Sequence, residues 1–199
     1  MEEAAQVLEK GGIVAHPTES FYGLGVDATN ERAVSHLLKL KGRPEGKPIL
    51  VLVSSVSMLE RYVTQVPPLA MELIEAFWPG GLTLIFHAAK GIPEKLTGGG
   101  GKLGMRLSSN LVATSLVERL GRPMTSTSAN LSGMPPLVSA GQVADALGEG
   151  IDLIVDGGDT PGQKGSTVLD TTSYPFTIVR EGLISREELK KVLGPEALS

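Results

Sequence analysis

The 199 residues contain no cysteine, which removes disulfides, thiolate zinc sites and a cysteine nucleophile together. Histidine is scarce: His16, His36 and His87 lie far apart, without the i, i+4 spacing of a helical metal pair. No apolar run reaches the roughly 18 residues of a membrane span. The opening MEEAAQVLEKGG is acidic and amphipathic and lacks a signal-peptide core, so the reading is a soluble, cytoplasmic protein without a membrane partner. Basic excess is absent too, with net charge -4 and pI near 5.4, which leaves room for a local basic patch but excludes an overall positive field. Hydrolase signals are missing: there is no G-x-S-x-G elbow, and Glu19 has no second carboxylate nearby in sequence. Two stretches imitate a P-loop and fail. LTGGGGKL has Leu96 and Leu103 where the motif needs glycine and a hydroxyl, and GGDTPGQKGST places Gln163 after Gly162. Any nucleotide must be held by side chains.

Forty-one per cent hydrophobic and 20% charged residues suit one domain over residues 1–199. Apolar positions and caps predict helices opened by Asn30, by Ser57 with Glu60, by Ser139 with Gln142 and by Ser185 with Glu188. GIVAH, ILVLV, LTLIFHA and GMRL read as strands, PTESFYGLG as a loop, and residues 123–128 as a single strand. DLIVD, STVLD and FTIVR follow one another too closely for helical crossovers and imply antiparallel pairs. The fold class is α/β, with a twisted mixed parallel and antiparallel sheet and helices packed around it. Four glycines at 98–101 read as a flexible flap.

PMTSTSANLSG, residues 123–133, crowds hydroxyls onto both faces of a strand, so they serve either a polar core network or a substrate. Lys41, Arg43 and Lys47 stand between a helix and a buried strand, a usual place for ligand contacts and equally a place for a solvated charged turn. Arg106 interrupts a buried strand, where a guanidinium needs an anion: a ligand, or a structural Asp or Glu. Arg180 ends FTIVR in the same way. Cations and hydroxyls without an evident nucleophile suit a site that positions anions and lets a substrate attack.

PTESFYGLG, KGRPEGKPILV, GMRL, STSANLSG, GSTVLD and IVREG, in this order across nearly the whole chain, resemble the YrdC-like family of threonylcarbamoyl-adenylate synthases. The resemblance implies a large, positively lined concave cleft. It also implies the reaction of L-threonine, bicarbonate and ATP to threonylcarbamoyl-AMP and pyrophosphate, with Mg2+ held mainly by the ATP phosphates. The product would pass to a threonylcarbamoyl transferase that modifies tRNA. By position, Ser20, Arg106, Ser128 and Ser166 would hold threonine, while Lys41, Arg43, Lys47, Asn130 and Arg180 would hold ATP. Three positions depart from the pattern: Ser20 stands where many relatives have Thr, Lys102 where a small hydroxyl residue is common, and Leu52 where some have histidine. The rival reading is a double-stranded RNA-binding or ribosome-associated protein that uses the same concavity for a duplex or tRNA.

Overall fold

Side-chain caps set most of the helix starts. Asn30, Ser55, Asn110, Ser139 and Ser185 each accept backbone N–H groups of the first turn, satisfying donors the helix itself leaves open. The computed structural model describes residues 1–43 and 46–199, so the PE of KGRPEGKPILV lies outside the described residues. In chain order the first elements are α1 (Glu2–Glu9), β1 (Val14–His16), β2 (Gly23–Gly25), α2 (Glu31–Lys41), β3 (Val51–Leu52) and α3 (Val56–Glu60). There follow α4 (Pro68–Phe77), β4 (Leu82–His87), α5 (Glu94–Thr97), β5 (Lys102–Arg106), α6 (Leu111–Leu120), β6 (Met124–Thr125) and β7 (Thr127–Ser128). The chain closes with α7 (Ala140–Leu147), β8 (Leu153–Ile154), β9 (Thr167–Asp170), β10 (Thr177–Arg180) and α8 (Arg186–Leu193).

The class is α/β with mixed pairing, as expected, but the strands form two sheets rather than one. A four-stranded sheet has the order β7-β2-β1-β8, and a six-stranded sheet the order β10-β9-β4-β5-β3-β6. The large sheet alternates pairing: β4 runs antiparallel to β5 and parallel to β9, while β3 runs parallel to β5 and antiparallel to β6. Several local expectations change. The strand at 123–128 divides at Ser126, with β6 in the large sheet and β7 in the small one. Of the three late strands, β9 and β10 pair antiparallel, whereas β8 leaves to lie parallel to β1, because α7 has already carried the chain across. PTESFYGLG is a loop through Tyr22, and its Gly23–Gly25 become β2. The cap of α3 is Ser55, two residues ahead of the expected Ser57. α5 is a single turn, too short to show a helical periodicity in the sequence.

The core is one cluster to which both sheets contribute, including Val14 and Leu24 from the small sheet and Val51, Leu84, Met105 and Leu169 from the large. On β5 the pleat sorts residues by face. Leu103 and Met105 are buried in that core, while Lys102, Gly104 and Arg106 face the other way.

Candidate active site

Opposite the core, the face of the large sheet and the edge formed by β2 and β7 enclose a cleft of about 580 Å³. Its floor is built by alternation: Thr83 and Ile85 from β4, Lys102, Gly104 and Arg106 from β5, and Ser166 and Val168 along β9. Gly23, Ser126, Thr127 and Ser128 line it from the small-sheet side, with Thr18 and Ser20 in the preceding loop. The hydroxyl-rich stretch is therefore the seam where the chain crosses from one sheet to the other.

Charge on the floor falls into two kinds. Arg106 is buried to 3% exposure, and its guanidinium is ion-paired with Glu19, whose second oxygen accepts from the Ser108 hydroxyl. Burial, and then the nearby charge of Arg180, draw Arg106 down to about 10, which leaves it cationic at neutral pH. Lys102 is likewise matched, to Asp170 at 2.8 Å. Arg43 and Arg180 instead donate to backbone carbonyls, Arg43 Nη2 to Pro48 at 2.9 Å and Arg180 Nη2 to Ser166 at 2.8 Å. Burial lowers the pKa of both. These two cations and Lys164 line the cleft without a carboxylate partner among the described residues.

Six of the nine expected site residues line this cleft: Ser20, Arg43, Arg106, Ser128, Ser166 and Arg180. Ser166 links two of the groups, because its hydroxyl accepts from Thr83 Oγ1 at 2.8 Å and from Arg180 Nη2 at 3.2 Å. The other three lie elsewhere. Lys47 borders a second hollow beside Lys95 and Gly98. Lys41 is buried beneath the 128–130 turn, where its Nζ donates to the carbonyl oxygens of Ser128 and Asn130 and to Asn130 Oδ1. Asn130 sits within that turn, accepting from Ser128 Oγ and donating to the carbonyls of Leu131 and Met134. Burial depresses Lys41 to about 8, an amine held by carbonyls rather than by a carboxylate.

The fold brings several further groups here that no short stretch of the sequence marks as partners. Glu19 lacks a carboxylate neighbour in sequence yet meets Arg106 across the fold. Lys102, a departure from the family pattern, lines the cleft, as do Thr83, Ser126 and Lys164. The alternation of LTLIFH held a signal for Thr83, since it sets Thr83, Ile85 and His87 on the face opposite Leu82, Leu84 and Phe86. Leu52, where a histidine contact was in doubt, is buried and pairs in register with Arg106. The four glycines at 98–101 do not line this cleft. Gly98 closes α5 with φ +60, where a Cβ would lie 2.5 Å from the Gly46 carbonyl oxygen.

Comparison with known proteins agrees with this architecture. The Sua5/YciO/YrdC family model, described as "Telomere recombination", matches residues 6–182. Threonylcarbamoyl-AMP synthase of Pyrococcus abyssi is 38% identical over 96% of this chain, which spans 56% of that protein. A putative threonylcarbamoyl-AMP synthase of Mycobacterium tuberculosis is also 38% identical, over 98% of this chain and 90% of the relative. Among solved structures, P. abyssi Sua5 complexed with L-threonine superposes with a TM-score of 0.96 at 37% identity, covering all of this chain and 58% of that one. With the two-sheet cleft, the motif order and the match across nearly the whole length in agreement, this chain belongs to the Sua5/YciO/YrdC family.

Proposed function

We propose that this chain, as a single domain over residues 1–199, is an L-threonylcarbamoyladenylate synthase acting in the cytoplasm. The observation that carries the reading is the cleft floor, where Arg180 donates to the Ser166 hydroxyl and the buried guanidinium of Arg106, held by Glu19, lines the same cavity. A carboxylate and a phosphate can then lie side by side. The likeness to a protein solved with L-threonine supports the amino-acid half of this assignment.

In this reading Ser20, Arg106, Ser128 and Ser166 face threonine, and Arg43 and Arg180 face the triphosphate. Lys41 and Asn130 act by shaping the turn that carries Ser128. Lys47 borders the neighbouring hollow with Gly98 and Gly99 and stands apart from the ATP contacts of the cleft. The amine of threonine attacks bicarbonate carbon and water leaves. The resulting carbamate oxygen attacks the α-phosphorus, breaking its bond to the bridging oxygen so that pyrophosphate departs. The chain's part is to hold the two anions together against their mutual repulsion and to align them for in-line attack. Mg2+ would be held mainly by the ATP phosphates and would offset their charge. The product, a mixed anhydride, suits a transferase that acylates an adenosine of tRNA.

The duplex-binding alternative fits the charge distribution poorly. The net charge is -4, and Lys102 at the cleft floor is met by Asp170 rather than displayed to a wide polyanion. Incubation with ATP, Mg2+, bicarbonate and a panel of amino acids tests the proposal. Pyrophosphate release should require both threonine and bicarbonate, and equal release without threonine would refute the assignment.

A further inference from the structure

A serine oxygen accepts twice and donates once, so its filled positions decide what it can still offer a ligand. Both acceptor positions of Ser166 Oγ are filled: Thr83 Oγ1 donates to it at 2.8 Å and Arg180 Nη2 at 3.2 Å. Arg180 Nε and Nη2 also donate to the Ser166 carbonyl, at 3.2 and 2.8 Å, which holds the guanidinium against this residue. What remains to Ser166 is its proton. The residue is buried, yet it lines the cleft.

The donor on Thr83 is itself held in place. Thr83 is buried on β4, in register with Val168 of β9. A Cβ on Gly104 would lie 3.4 Å from Thr83 Cγ2, so the methyl lies on the β5 side while Oγ1 reaches Ser166 at the start of β9. A β-branched side chain has little χ1 freedom, and this packing keeps the hydroxyl aimed at Ser166. We propose that Thr83 is a positioning residue: by donating to Ser166 Oγ it commits the Ser166 O–H to the cleft, as a donor for an anionic oxygen of the substrate. The identity of that oxygen, the threonine carboxylate, rests on the amino-acid substrate proposed above. A phosphate oxygen would be recognised by the same chemistry, whereas a substrate N–H would find no free lone pair at Ser166.

Titration and neutron diffraction together test it. Thr83→Val keeps the branched shape and removes the O–H, so threonine affinity should fall about threefold to tenfold while ATP affinity stays within about twofold. Thr83→Ser, which retains the donor, should recover most of the loss. The double variant Thr83→Val/Ser166→Ala should bind threonine no more weakly than Ser166→Ala alone. In neutron maps of the unliganded wild type exchanged into D2O, the Thr83 deuteron should lie between Thr83 Oγ1 and Ser166 Oγ, with the Ser166 deuteron pointing into the cleft. A loss of ATP affinity in place of threonine affinity would support the donor and assign its oxygen to a phosphate. Normal binding of both ligands by Thr83→Val, multiplying losses in the double variant, or a Ser166 deuteron directed at Thr83 Oγ1 would each overturn the proposal. Should Thr83→Val fail to fold, the wild-type map decides. It needs no ligand, so a wild type that binds no threonine would refute the substrate assignment and leave the Thr83–Ser166 polarity separately judged.

Discussion

A guanidinium at 3% exposure is tolerable because Glu19 meets it, and Ser108 in turn anchors Glu19. Arg106→Met should therefore cost stability, about 3 kcal/mol in denaturant titrations, because it strands a carboxylate in the cleft wall. Adding Glu19→Gln should return part of that loss. Calorimetry on the folded variants should show threonine weakened tenfold to a hundredfold, roughly 1.5–3 kcal/mol, with ATP changed far less. Normal threonine binding by Arg106→Met would remove this residue from the substrate site. His16 makes a separate prediction through pH. Its folded pKa of about 4 lies below the ordinary 6.5, so the unfolded chain takes up the proton first on acidification. Its contribution is intact above pH 6.5 and is lost as pH falls from there toward 4, by up to about 3 kcal/mol. Urea unfolding at pH 7 and pH 4.5 should show that difference shrinking in His16→Gln. From sequence, the need of Arg106 for an anion was legible, but its partner was not: Glu19 stands 87 residues away.

Elements position these residues through their ends. The segment after β10 is laced to the start of β9, with Gly182 N donating to Thr167 Oγ1 at 2.9 Å and Leu183 N to the Gly165 carbonyl at 2.9 Å. At Gly182 a Cβ would fall 2.1 Å from the Gly165 oxygen, so Gly182→Ala must push away the backbone that carries Ser166. We expect a loss of about 1–3 kcal/mol in stability together with weakened binding of both substrates. Thermal unfolding and ligand titration check this, and unchanged binding would mean that Ser166 is not held by this contact. The capping box of α8, Ser185 with Glu188, was legible because its partners are three residues apart. The destination of β8 was not, because a two-residue strand carries no mark of the sheet it joins.

Across the molecule, the cleft exists because the chain changes sheets at Ser126, and the glycine run lies outside it. Gly98 and Gly99 border the second hollow, and the amides of Gly99 and Gly100 bond back into α5. Saturating ATP and threonine should slow hydrogen exchange along the cleft strands and leave residues 98–101 at their unliganded rates. Slowing at the glycines would restore the lid first expected of them. What the sequence by itself determined is local or covalent. The class of the fold follows from alternating periodicities, the helix starts from residues such as Asn30, Ser139 and Ser185, and the family from motifs in a fixed order. Tertiary structure decided which of those motifs share a cleft. It placed Lys41 under the 128–130 turn, Glu19 on Arg106 and Lys47 in a neighbouring hollow. Periodicity and capping act within a few residues and leave their pattern in the sequence, whereas sheet membership and convergence of side chains come from packing between distant segments, whose partners no short stretch names.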